Sequence, residues 1–178
     1  SFIDASGTVI GSKTYGIAGN GRLQQGNILR DILGSIVPTG KSGYLQVEST
    51  QPLSVATTPI DNSTNSASVV QGSRGRGHRL LLPTSTSVGV FRTTLTLVND
   101  DKFQNEVEIK LRGDDGVTQV IKRVALAPYG FFHVEDIHAF LGVTGVVGAL
   151  ELKSNSVNPG QLVAVSKVYA PLTTQSGS

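Results

Sequence analysis

Two neighbouring stretches of the chain alternate apolar and polar residues with a period of two. In FRTTLTLVN (91–99), Phe91, Thr93, Leu95 and Leu97 share one face, and Arg92, Thr94 and Thr96 take the other. In EVEIKLR (106–112), Val107, Ile109 and Leu111 alternate with Glu106, Glu108, Lys110 and Arg112. Period two belongs to strands, and one dry face opposite one wet face belongs to antiparallel sheets packed on a single side. Leu150 and Leu152 alternate with Glu151 and Lys153 in the same way, as do Leu45 and Val47 with Gln46 and Glu48. Between these runs, 21 glycines and many Ser and Thr residues supply turns. The fold class that follows is all-β, an antiparallel immunoglobulin-like β-sandwich.

Strands are expected near 79–83, 90–98, 106–113, 118–127, 131–134, 148–154 and 161–169, with a short helix before the sixth. Seven strands in about 100 residues make one complete sandwich domain. The helix phrase of that module, DIHAFLG (136–142), has a counterpart upstream in NILRDILG (27–34). Asp136 and Asn27 are residue types that cap a helix N-terminus, and Gly142 and Gly34 are suited to the left-handed conformation that closes one. Ile137 with Leu141, and Ile28 with Ile32, fall four apart, so each helix presents one apolar face as a plug for the end of a β-core.

Around the phrase the order of features repeats over roughly sixty residues. Each copy has an acidic turn ending in glycine (Asp114, Asp115, Gly116; Asp4, Ser6, Gly7), then an extended segment, then a second glycine turn (Gly130; Gly21). After the helix, GALELKS (148–154) matches GYLQVES (43–49), and QLVAVSKVYAPLTT (161–174) matches PLSVATTPIDNST (52–64). The upstream copy lacks counterparts of RLLLP, FRTTLTLVN and most of EVEIKL. The expected organisation is a truncated β-sandwich repeat over 1–61, a connector over 62–78 rich in Ser, Asn and Gly, and a complete module over 79–178. A half-module leaves apolar faces and unpaired backbone groups open, so strands from elsewhere are expected to complete it. The expected partner is a further copy, in a homo-oligomer or filament built by edge-strand pairing.

Charge and composition narrow the function. Fifteen basic and 13 acidic residues give a net charge of +2, too even a mixture for a nucleic-acid-binding face. With no cysteine, disulfides, thiolate metal sites and cysteine nucleophiles are excluded. No apolar run approaches the roughly 20 residues of a membrane-spanning helix, so no membrane insertion is expected. The chain begins at Ser1 and lacks Met and Trp, as a processed product, mature form or fragment would.

The combination LLLPTSTSVGVFRTTLTLVNDD, KLRGDDG and VEDIHAFLGVTGVVGALELKS resembles a repeat module found in tandem in secreted and surface proteins of environmental bacteria. The resemblance covers most of 79–170 and part of 1–62. It implies an extracellular or cell-surface setting and a scaffolding or adhesive role, and it carries no catalytic residues with it.

VPTGKSG (37–43) has the end of a phosphate-binding loop without its earlier glycine in register, and VTGVVG (143–148) holds the same place with no lysine, so it reads as a turn before a strand. His133 and His138 stand five apart, off the helical spacing of a metal pair, and read as surface histidines; no metal or cofactor is expected. The acidic turns at 99–101 and 114–116 read as hairpin chemistry. No nucleophile, base and orienting group fall into a catalytic pattern, so no enzyme is expected. Asn62 opens a glycosylation sequon, Asn62-Ser63-Thr64, and Tyr129 and Phe131 are the candidate saccharide contacts. The expected function is a non-catalytic extracellular structural protein, a subunit of a surface filament, stalk or adhesin assembled by β-strand addition. The alternative is an accessory or carbohydrate-binding module of a larger secreted hydrolase.

Overall fold

At the amino terminus, β1 (Phe2–Asp4) and β2 (Val9–Gly11) form a hairpin. The Asp4 carboxylate closes the turn by accepting from the backbone N–H and hydroxyl of Ser6 and from the Thr8 N–H, at 2.6–3.1 Å. Gly7 takes the left-handed φ of 85° that such a turn demands. Helix α1 (Ile28–Leu33) follows, capped by the Asn27 side chain, which accepts from the Arg30 N–H at 2.9 Å. It lies on β2, where a Cβ on Gly11 would stand 2.7 Å from Leu33 Cδ2. Strand β3 (Gly43–Leu45) then pairs with the other side of β1, giving the order β2-β1-β3. The computed structural model describes residues 1–34, 42–57, 60–61, 66–67, 70–71, 78–155 and 162–171.

Next come two nested antiparallel ladders, β4 (Ala56–Thr57) with β7 (Val70–Gln71) and β5 (Ile60–Asp61) with β6 (Ser66–Ala67). The expected boundary between first copy and connector, at residue 62, falls inside them.

The module from residue 79 has all seven expected strands, with ends within three residues of those read from the sequence: β8 (Arg79–Thr86), β9 (Arg92–Asn99), β10 (Asn105–Gly113), β11 (Gln119–Leu126), β12 (Phe131–Val134), β13 (Val147–Ser154) and β14 (Leu162–Tyr169). They form two antiparallel sheets, β11-β10-β13-β8 and β12-β9-β14. Only β10 and β11 are joined within one sheet, so five of the module's six connections cross between sheets.

Alternation puts Leu95 and Leu97 of β9, Val107, Ile109 and Leu111 of β10, and Leu150 and Leu152 of β13 into one shared core, each fully buried. Truncating any one of these leucines to alanine costs about 2–5 kcal/mol through lost transfer energy and the cavity left. The outward residues of the larger sheet make cross-strand ion pairs, Arg123 with Glu108 at 3.1 Å and Arg112 with Glu151 at 3.1 Å. Glu151 stays charged below the usual carboxylate range, because hydrogen bonds and charge from Arg112 and Arg79 outweigh its partial burial. Polar residues enter the interior where strands end. Thr93 Oγ1 accepts from the Thr86 N–H and donates to the Thr86 carbonyl (2.8 and 3.0 Å), tying the crossing from β8 to β9. Asn99 Nδ2 donates to the Phe103 and Ala127 carbonyls, both at 2.8 Å, tying the next one.

Helix α2 (Ile137–Leu141) plugs this core as expected, with Ile137 and Leu141 buried. Asp136 accepts from the N–H groups of His138 and Ala139, both at 3.0 Å, and Gly142 closes the end in the left-handed conformation. Helix α1 departs from expectation. None of its residues is fully buried, and Gly34 has φ 80° with ψ −158°, outside the left-handed helical region. The sheet beneath it has three short strands among the described residues, with Phe2 and Ile3 as its buried apolar residues, so α1 has little core to enter.

Three further expectations change. Phe91 lies outside β9 and is 50% exposed, because the strand begins one residue later. The strand expected over 43–49 stops at Leu45, leaving Val47 exposed, since β1 begins at Phe2 and offers Val47 no partner. In the segment matched to β14, Ala56 and Thr57 pair with β7 and not with the first sheet.

Candidate functional site

The feature that stands out chemically is an open sheet edge. Ser1 and Gln46 exchange two main-chain hydrogen bonds, of 2.9 and 3.0 Å, across the end of the β1–β3 ladder. In an antiparallel pair the direction of N–H and C=O alternates along the strand, so Tyr44 and Gln46 point theirs at β1. Leu45 and Val47 therefore point theirs the other way, where no described strand lies. Among the described residues β3 pairs on one side only.

The larger sheet holds the same arrangement with that edge filled. Asp4 faces Gly43 across β1–β3, and Gly113 faces Gly148 across β10–β13. A Cβ on Gly43 would lie 2.3 Å from the Ile3 carbonyl oxygen, and one on Gly148 would lie 2.2 Å from that of Arg112. Gly7 and Gly116 both have positive φ in the turns that follow β1 and β10. The order β2-β1-β3 parallels β11-β10-β13, and a capped helix precedes the last strand of each. On the far side of β13 sits β8, with Leu82 opposite Leu150 and Leu80 opposite Leu152. Beside β3 the corresponding position has no strand among the described residues.

The first sheet is held against the module by its turn. A Cβ on Gly7 would stand 2.0 Å from the Pro128 carbonyl oxygen, and one on Gly130 would stand 2.9 Å from that of Ala5. Glycine on both sides allows this approach. Tyr44 donates its hydroxyl to the Tyr129 carbonyl at 2.9 Å and sets its ring edge to face with Phe131, centroids 6.3 Å apart. Burial, with the nearby charge of Asp100 and the Tyr129 hydroxyl, pushes the Tyr44 phenol up to about 12, so it remains a donor at any physiological pH.

Of the residues singled out from sequence, Phe131 is half-buried in this contact with Tyr44, and Tyr129 is 40% exposed with a left-handed backbone, φ 54°. Asn62 and most of VPTGKSG lie outside the described residues. His133 bonds Thr96 at 2.8 Å and Glu135 at 3.0 Å on the solvent side of its sheet. His138, expected at the surface, is fully buried in α2, so the two imidazoles do not converge. Among the described residues no three His, Cys, Asp or Glu side chains gather as metal ligands, and no helix is long and apolar enough to cross a membrane. Tyr44 and Pro128 were missed from sequence, and Gly7 and Gly130 were read only as turn glycines. The signal for Pro128 was the shared Ala-x-x-Gly of residues 18–21 and 127–130, of which only the glycines were noticed. No protein-family model, curated protein or solved structure matches the chain.

Proposed function

We propose that the chain is a non-catalytic structural subunit that joins its neighbours by β-strand addition, in a filament, stalk or adhesin outside the cell. The observation that carries this is the open side of β3, whose counterpart in the module is the side of β13 covered by β8. The parallel order, register, close-approach glycines and helix placement support reading 1–61 as a truncated copy of the module over 79–178, each with its helix. An added strand would supply main-chain hydrogen bonds to Leu45 and Val47, with apolar residues two apart as in Leu80 and Leu82. The surface-protein resemblance supports the extracellular setting.

We read the module as an immunoglobulin-like sandwich. Taking β8 to β14 as strands A to G, the pairs B–E and C–F of that architecture are present in β9–β12 and β10–β13. Three strands are placed differently: the first lies beside β13, the last beside β9, and the fourth, β11, beside β10 and not β12.

The test is Val47→Pro. It removes an N–H aimed at the open edge from an exposed position, 54% accessible, and leaves the β1–β3 bonds in place. Sedimentation and electron microscopy are expected to show concentration-dependent assemblies of the native chain that the variant does not form, with its melting temperature unchanged. A native chain that stays monomeric over a wide concentration range, or assemblies that Val47→Pro leaves intact, would overturn the proposal.

A further inference from the structure

The molecule contains one contact between its two copies and both halves of a second. In the contact already made, the β1–β2 turn of the first copy (Ala5, Gly7), with Tyr44, sits on the β11–β12 turn of the second (Pro128 to Phe131). Under the copy equivalence on which the proposed function also rests, Ala5, Gly7 and Tyr44 correspond to Asp114, Gly116 and Ala149. Likewise Pro128, Tyr129, Gly130 and Phe131 correspond to Gly19, Asn20, Gly21 and Arg22.

Backbone geometry is kept at the corresponding positions. Asn20 and Tyr129, with φ 58° and 54°, are the described non-glycine residues of positive φ. The Gly21 N–H donates to the Ala18 carbonyl at 2.8 Å, and that of Gly130 donates to the Ala127 carbonyl at 3.0 Å. Gly116 matches Gly7 with φ 71° against 85°. Yet among the described residues nothing covers either half. Residues 18–22 are all exposed, a Cβ on Gly116 would meet nothing within 4 Å, and the adjacent Val117 is 85% exposed at the tip of its turn.

We infer that a second copy of this chain docks head to tail, the Asp114–Val117 turn of one molecule seating on the Ala18–Arg22 turn of the next and repeating the internal contact. The side chains fit that partner. Where the internal contact pairs Tyr44 with Phe131, the intermolecular one brings Ala149 to Arg22. Beside the small Ala149 lies a pocket of about 360 Å³, lined also by Pro83, Thr84, Arg112, Gly113 and Asp114, with the Arg112 guanidinium held by Glu151 at 3.1 Å. Arg22 enters it beside Asp114, and burying Val117 adds apolar contact. Donor and acceptor turns are different surfaces, so the contact does not pair with itself and propagates head to tail, as an open chain where the rotation between molecules does not close a ring.

Because the chain has no cysteine, an introduced pair reports the contact directly. Gly19→Cys has open space around the new side chain, and Val117→Cys replaces an exposed one. Mixing the two single variants under mild oxidation is expected to give the 19–117 disulfide at least ten-fold faster than Gly19→Cys mixed with Lys167→Cys. Adding Arg22→Glu to the first chain should reduce that rate about ten-fold, and Asp114→Arg on the second should restore it. Cross-linking no faster than the Lys167→Cys control, or indifferent to the charge reversal, would overturn the inference. Val47→Pro separates the two proposals: it abolishes strand addition and leaves this disulfide forming.

Discussion

His138 shows how one side chain sets a pH limit. Its ring is fully buried and neither nitrogen has a protein hydrogen-bond partner. Desolvation lowers its pKa, and the negative charge of Asp136, itself paired with Arg92 at 3.2 Å, opposes that only in part. Folded protein therefore binds fewer protons here than unfolded protein, so stability is full above the unfolded value of about 6.5 and declines as pH falls below it. Urea unfolding at pH 7.5 and pH 5 should show that decline, and His138→Leu should make it shallower; an equal decline in both would refute the assignment. The histidine was misread from sequence for a physical reason. Ile137 and Leu141 mark the buried stripe by their spacing, but a helix of five residues sunk into the end of a sandwich is covered beyond that stripe, and its neighbour goes in too.

The two helices carry the same phrase and different weight. Asp136 caps a helix that supplies Ile137 and Leu141 to the core, whereas Asn27 caps one whose apolar side chains are only half-buried. Asp136→Ala is expected to destabilise the module by about 1 kcal/mol, and Asn27→Ala should leave its denaturation midpoint unchanged. Strands were legible at this scale, because period-two alternation marks a strand wherever one face is dry; β9, β10 and β13 were read almost residue for residue. Pairing was not. Alternation says which face Leu150 and Leu82 occupy, but not that β13 takes β8 as its neighbour, and β8 would have been placed beside β9 by their closeness in the chain. Of the ladders between 56 and 71, the sequence offered only SASVV (66–70) as a segment able to pair, and its partners at 56–57 and 60–61 were missed because two-residue strands carry no period.

At the scale of the molecule, two β units meet through turns. Gly7 carries much of that meeting, with φ 85° and no space for a Cβ against Pro128. Gly7→Ala should cost about 1 kcal/mol for the left-handed backbone and about 1–3 kcal/mol for the clash. The expected outcome is loss of amide protection over residues 1–11 and 43–46 while 79–169 keep theirs, measured by hydrogen exchange; equal loss throughout would contradict it. Such a junction was invisible in the sequence, because a glycine required by a distant carbonyl looks like any other turn glycine. The placement of the module's first and last strands in different sheets has its own mechanical outcome. Pulling on the module at both ends loads one sheet through β8 and the other through β14, two strands that share no hydrogen-bonded ladder. Tension must then pass through the interdigitated leucines between the layers, so the force the domain withstands follows the tightness of that packing more than the strength of any single ladder.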